Sequence, residues 1–519
     1  IDRQLIQDLL AEDLGHYTEQ RLKLAVPDFI GLTDFKVRYQ LSSLNRKRNS
    51  GEIPLELKEN AKSKFLEIQD ELSSLDVRSF SRIESVRHIV YNWLPPLEHV
   101  INDVFAGCGF GPGAVFQTKK YYERSHIFKI GGIQTISYTA RELLPYVFQS
   151  FPNWVGKMGD VRVQSVVGNR LAWVPKDVSK CRQIAVEPSL NVFIQKGIGN
   201  YLIQLLKRKG IADLETGQTT HRRLVREEWD SIGTIDLSDA SDRISVACVK
   251  AILPPDWFAL LNAARSHFYK DGSKWQRYQS FSSQGNAFTF PLETLIFKAV
   301  ALAHSLHPER VSVYGDDIIS DRGDAEAISL ALATYGFKVN TEKSFWGQHA
   351  GPMKFFRESC GEDTYFGHSV RPVFYKDDAT GDEAIFSLAN MLYEKWGKLS
   401  QVHTYLGQLV GKPIFGPRTY VSSDVRDPSK NSLSTSYSGY FWEEIYGSIP
   451  DIRWNRDLQC YTRKIIESRP RCKPLRQFSR FCADAQTLFF LYGSCEPTEP
   501  TPITQYVRRA RVIPHIPSV

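Results

Sequence analysis

Long apolar runs are missing from this sequence. The richest stretch, around Leu292 to Leu306, is broken by Glu293 and Lys298. Nothing reaches the ~18 residues that a membrane-crossing helix needs, so no membrane span is expected. Cysteine is sparse and scattered: the eight residues form no CxxC pair and have no histidine cluster beside them. That argues against structural zinc and suits a reducing compartment. One-sided charge is lacking too. Lys and Arg number 65 against 58 Asp and Glu, and a net +7 is too weak to establish nucleic-acid binding by itself. There is no internal repeat. The charged opening at Asp2 and Arg3 is unlike a secretory signal, and a start on Ile1 rather than Met leaves open a trimmed terminus.

What is present is an ordinary globular composition, 42% apolar and 24% charged, in a chain of 519 residues, long enough to need several subdomains. Basic clusters at Asn45 to Arg48, Lys119-Lys120, Lys207 to Lys209 and Arg222-Arg223 suit phosphates or plain solvent. Residues 1–100 read as helical. Leu57, Ala61, Phe65, Ile68, Leu72 and Leu75 recur every three or four positions and predict a packed stripe. The glycine-rich 106–115 matches neither a Walker loop nor a dinucleotide fingerprint and reads as a tight structural loop. Strands and basic helices alternate over 160–230. A strand and helix fill 231–250, and Pro254-Pro255-Asp256 opens another helix. Beyond about 376 the helical pattern returns, breaks at a Gly, Pro and Ser-rich 411–439, and ends in an extended tail from Pro497.

Chemistry concentrates in four places. Tyr314-Gly315-Asp316-Asp317 lies between β-branched segments and reads as a hairpin tip. Two adjacent carboxylates repel, and a divalent cation would relieve that cost; a surface turn is the bland alternative. Asp236 ends an apolar strand in Thr234 to Ser245, where it could join such a site or cap a helix. Ser282 to Asn286 leads into an apolar helix; Gly285 allows close backbone approach and the Asn286 amide could read a sugar hydroxyl. Lys176, Lys180 and Arg182, spaced near alternation, are expected on one side of a single strand, as a comb for a triphosphate.

Taken in order, these elements resemble the replicase β subunit of positive-strand RNA bacteriophages, the levivirus family. The resemblance spans roughly 165–375. It runs through Val167 to Asn169, Val174 to Lys176, Glu187-Pro188, Gln195 to Gly197, Thr234 to Ser238 and Ala240 to Asp242. It continues through Leu253 to Pro255, Gly285-Asn286, Phe288 to Phe290, Tyr314 to Ile318, Tyr335 to Lys338 and Phe356 to Gly361. It implies a mixed α+β right-hand polymerase of fingers, palm and thumb, with the palm on an antiparallel sheet. The implied activity is RNA-directed RNA synthesis by two-metal phosphoryl transfer. Asp236, Asp316 and Asp317 would hold two Mg²⁺ ions, with Mn²⁺ also acceptable. Lys343 resembles a general acid toward pyrophosphate. Lys176, Lys180, Arg182, Gly285 and Asn286 would contact the nucleotide. Ser241 or Asp242 would read the ribose 2′-hydroxyl. Phe355 to Arg357 would lie where related polymerases grip the growing strand.

By the same resemblance, residues 1–105 would bridge fingers and thumb and 106–230 would form fingers. The palm would comprise 231–250 and 282–375, separated by a fingers insertion at 251–281, and 376–519 would be thumb and C-terminal extension. Implied partners are template and product RNA, ribonucleoside triphosphates, host elongation factors Tu and Ts, and a small-subunit ribosomal protein, in the cytoplasm of an infected bacterium. Asp239 and Arg243 depart from the family pattern, which has small residues there. Asp239 could disturb a metal site or face solvent. A reverse transcriptase and a non-catalytic RNA-binding protein remain the competing readings.

Overall fold

A computed structural model describes residues 2–19, 31–47, 53–111, 113–118, 129, 133–152, 162–176, 180–375, 382–410, 413, 415–416, 441–447, 452–457, 459–472 and 503–514. At its centre is the helix Thr289–His304, apolar on nearly every side. Leu292, Leu295, Ile296, Phe297 and Val300 are all buried, and each such side chain contributes about 1.5–3 kcal/mol by leaving water. The helices Ile83–Trp93, Ser189–Arg208 and Ala325–Thr334 pack around it.

Against this core lies a four-stranded antiparallel sheet in the order Lys338–Val339, Ile232–Ser238, Asp317–Asp321, Ser312–Tyr314. Its inner strand Ile232–Ser238 reads as a buried apolar run interrupted by Asp236, which places that carboxylate near the strand's end. The expected hairpin is present: Tyr314 pairs with Asp317 and leaves Gly315-Asp316 as a two-residue turn. Gly315 has φ +61°, and a Cβ there would meet the Phe290 ring at 2.3 Å. The close approach that this glycine permits is therefore to an aromatic ring of the central helix.

A second four-stranded sheet runs in the order Cys181–Val186, Asn169–Pro175, Phe268–Asp271, Lys274–Arg277. It corrects one expectation. Lys176 follows one strand and Lys180 and Arg182 belong to the next arm of a hairpin, so their convergence comes from chain reversal and not from alternation along one strand. The Lys176 N–H bonds the Lys180 carbonyl at 3.0 Å across it.

The helix Leu55–Ser73 buries Phe65, Ile68 and Leu72 as the stripe predicts, and Leu57, Ala61, Phe65 and Ile68 line a cavity. The 106–115 loop is structural where described: Gly109 N–H bonds Phe193, and Lys196 Nζ bonds the Phe110 carbonyl at 3.0 Å. The first helix, Arg3–Glu19, packs through Ile6, Leu10 and Leu14 on the helices Asp382–Trp396 and Ser400–Leu409, joining the N-terminal segment to the helices after 382. A three-stranded antiparallel sheet follows: Ile452–Asn455 and Cys460–Cys472 are strands where helices were expected, and Ile503–Pro514, in the tail expected to be extended, is the third strand. Most of 411–439 lies outside the described residues. Among those described, no helix is long and apolar enough to cross a membrane.

Candidate active site

Asp236 and Asp317 are direct register partners on adjacent strands, so their side chains emerge on one face of the sheet beside the Asp316 turn. Asp236 is heavily cross-braced. Its Oδ2 accepts from Asn340 Nδ2 at 2.8 Å, its N–H bonds Ser344 Oγ at 3.0 Å, and Lys343 Nζ stands 4.0 Å from Oδ2. Asp317 Oδ2 accepts the Cys360 N–H at 3.2 Å. Burial, then the charges of Asp316 and Asp236, push the Asp317 carboxyl up to about 7. Burial and Asp316 also raise Asp236, against the pull of Lys343 and Asn340. Burial works against the charge on Lys343, yet the carboxylates of Glu358, Asp236 and Asp317 hold its pKa above the ordinary value. This is a crowd of acids that resist ionising together. Among the described residues, no three acidic, sulfur or imidazole side chains already converge as metal ligands.

The acids open onto a cavity of about 570 Å³. Lys176, Lys180, Arg182, Asp236, Ser241, Asp242, Asp316 and Lys343 all line it. Burial and the neighbouring charges of Arg182, Lys343 and Lys180 lower the Lys176 pKa, with Asp236 pulling the other way. Asp242 carries a buried Oδ1 with no hydrogen-bond partner, and burial followed by Asp239 pushes its carboxyl up to about 7. Ser241 shares the cavity wall but shows no such unmet oxygen.

Gly285, Asn286 and Asp317 do not line this cavity. Asn286 is buried, and its Oδ1 accepts the Phe288 N–H at 3.1 Å, so the amide secures the turn before the central helix. Gln284 takes the place at the wall, while its carbonyl accepts the Ala185 N–H at 2.7 Å. Arg357 is fully buried and donates to the Ile232, Lys354 and Phe356 carbonyls. Its guanidinium faces backbone and not a groove.

Several site residues escaped sequence reasoning. Glu293, buried in the central helix with an unpartnered Oε2, is raised well above the carboxylate range by burial and by Asp316. A charge inside an apolar helix was the signal. Glu358 is raised by burial and faces Lys343. Asn60 and Lys64 reach the cavity from the Leu55–Ser73 helix.

Behind the hairpin, His221 is buried between Ser359 Oγ at 2.8 Å and Ser312 Oγ at 3.0 Å, and burial lowers its pKa to about 4. The unfolded chain binds this proton below about 6.5, and the folded chain only near 4. The stabilisation is therefore full above pH 6.5 and is lost as pH falls toward 4. Denaturant melts of wild type and His221→Gln across this window should diverge, with wild type losing stability more steeply on acidification; parallel curves would remove the assignment.

Residues 58–404 match the family model described as RNA replicase, beta-chain. The chain is 38% identical over 264 residues to the RNA-directed RNA polymerase beta chain of Escherichia phage MS2, covering 48% of this chain and 47% of that one. It is 36% identical over 264 residues to the corresponding protein of Enterobacteria phage fr, covering 48% and 47%. With the RNA-directed RNA polymerase subunit beta of Escherichia virus Qbeta it shares 32% over 399 residues, 72% of this chain and 65% of that one. The aligned region thus spans about half the length of the first two relatives. A solved BmCPV RNA-dependent RNA polymerase aligns at TM-score 0.33 and 12% identity over 67% of this chain and 33% of that one, too loosely to bear on the fold. With two-thirds of its length inside the family model and these relatives alongside, the chain belongs to the RNA replicase beta-chain family.

Proposed function

We propose that this chain is an RNA-directed RNA polymerase, joining ribonucleoside triphosphates on an RNA template. The observation that carries the proposal is the placement of Asp236 and Asp316 on a cavity walled by cations, with Asp317 the register partner of Asp236 on the adjacent strand. Asp236 and Asp317, whose carboxyls are raised by burial and by neighbouring acid charge, together with Asp316 offer the hard oxygen donors that Mg²⁺ prefers. When bound there, two such ions supply activation of the 3′-hydroxyl and charge relief at the leaving pyrophosphate. The chain's own groups do the rest. Lys176, Lys180 and Arg182 bind the triphosphate, the unmet Oδ1 of Asp242 orients the ribose, and Lys343 Nζ holds a proton beside Asp236.

In this reading the sheet containing Asp236 and the Tyr314 hairpin is the palm, the Asn169–Val186 hairpin belongs to the fingers, and the helices after 382 to the thumb. RNA is the template and product. Elongation factors Tu and Ts and a small-subunit ribosomal protein are candidate partners in the bacterial cytoplasm.

The test is incorporation of labelled ribonucleotides by the purified chain with Mg²⁺ and an RNA template, with and without the two factors. Parallel reactions carry deoxyribonucleotides. Template-dependent RNA is expected; product only from deoxyribonucleotides, or none with RNA binding intact, overturns the reading. Lys180→Ala and Arg182→Ala are each expected to raise nucleotide KM by about tenfold, the loss of one charge-assisted contact, with kcat less affected. Unchanged KM in both would remove the triphosphate role.

A further inference from the structure

The helix Leu55–Ser73 forms one wall of the nucleotide cavity. It is clamped to the turn after Asp236 by two ion pairs of opposite sense. Lys64 Nζ meets Asp239 Oδ2 at 2.6 Å, and Glu71 Oε2 meets Arg243 Nη1 at 2.7 Å. Lys64 and Glu71 stand two helical turns apart on one face. The helix has further anchors. Gln69 Nε2 donates to Ser280 Oγ at 2.6 Å, its Oε1 accepts the Gln279 and Ser280 N–H groups, and Ser280 Oγ donates to the Asp242 carbonyl at 2.5 Å. Docking therefore does not depend on Lys64.

The Lys64–Asp239 pair also contributes little to stability, because Lys64 is 58% exposed and Asp239 28%. Its location is what matters. Asp239 lines the cavity that receives the triphosphate, three residues beyond Asp236. Its backbone is left-handed, φ +52°, which Asp and Asn tolerate, so the turn itself asks for either residue. The negative charge is an addition to that requirement, and a polyanion entering the cavity must pass it.

We propose that Lys64 is a positioning residue for nucleotide admission, neutralising Asp239 so that this carboxylate does not repel the incoming triphosphate. The proposal rests on the polymerase reading. Lys64→Met leaves Asp239 uncompensated at the cavity wall and raises nucleotide KM by about five- to tenfold, with kcat within about twofold of wild type. Lys64→Met combined with Asp239→Asn restores KM, because the turn survives and the charge is gone. Lys64→Arg keeps the charge and leaves KM near wild type.

The experiment measures KM and kcat for these variants, and titrates each with a fluorescent ribonucleoside triphosphate in the absence of turnover. Thermal melts run alongside. The expected pattern is weakened nucleotide binding in Lys64→Met and recovery in the double variant at unchanged melting temperature. Unchanged KM and binding in Lys64→Met overturn the proposal. So does a double variant as impaired as the single one, which would make Lys64 a direct nucleotide contact. A melting temperature that falls with KM and does not recover would make the pair structural and nothing more. Absence of RNA synthesis by the wild type would instead sink the polymerase reading, and the binding titration would still decide the role of Lys64.

Discussion

Replacing Asp316 by asparagine is expected to lower nucleotide incorporation by at least about a thousandfold, near 4 kcal/mol of transition-state stabilisation, while RNA binding persists. The substitution preserves shape at the hairpin turn and removes one charge from the acid cluster. Without divalent cations it should also raise the melting temperature. Asp316 pushes up the carboxyls of Asp317, Asp236 and Glu293, so its charge is a cost the folded chain bears. A variant both inactive and more stable separates a catalytic role from a structural one. Incorporation at near wild-type rates would remove Asp316 from the chemistry; loss of activity together with a lower melting temperature would make its role one of folding. Gel-based incorporation, filter binding and calorimetry on the same preparations decide among these.

Gly285→Ala should damage the structure behind the site. Gly285 has φ +113°, and a Cβ there would lie 2.2 Å from the Ala185 carbonyl oxygen. The obstruction is backbone on both sides, so no rotamer change relieves it. Left-handed strain and overpacking each cost about 1–3 kcal/mol. The Gln284–Ala185 hydrogen bond that joins the Cys181–Val186 strand to the central helix's approach would break with it. Denaturant melts should show a loss of about 2–5 kcal/mol, accompanied by weaker nucleotide binding through displacement of Arg182. A stability change under about 0.5 kcal/mol, the usual range for a benign surface substitution, would mean that the loop moves aside freely.

The acid cluster was legible because its chemistry lies on local patterns. β-branched residues around Gly315 announce a hairpin, and an apolar run leading to Asp236 announces a carboxylate near a strand's end. The basic comb was legible in composition but not in geometry. Alternation along a strand and reversal through a hairpin bring Lys176, Lys180 and Arg182 together equally well in one dimension. The Leu55–Ser73 helix shows the harder limit. Apolar residues every three or four positions look the same whether they meet a core or a cavity, and Leu57, Ala61, Phe65 and Ile68 all line the cavity. The Lys64–Asp239 and Glu71–Arg243 pairs join residues far apart in sequence, and no local spacing encodes them. Asn286 illustrates the reverse case: an amide that could read a sugar hydroxyl is occupied locally, by its hydrogen bond from the Phe288 N–H.

The bracing of Asp236 sets an order of events during synthesis. Its hydrogen bonds to Ser344 span 108 residues, and the neighbouring strand positions Thr234 and Phe345 bond each other in both directions. At ~5–20 residues per second, a ribosome needs about 5 to 20 s to travel from one to the other. Throughout that interval a nascent chain has made its first acidic strand and lacks the segment that aligns it. The site is assembled late, after its cationic hairpin and central helix have emerged, and a chain truncated before residue 344 leaves Asp236 without its brace.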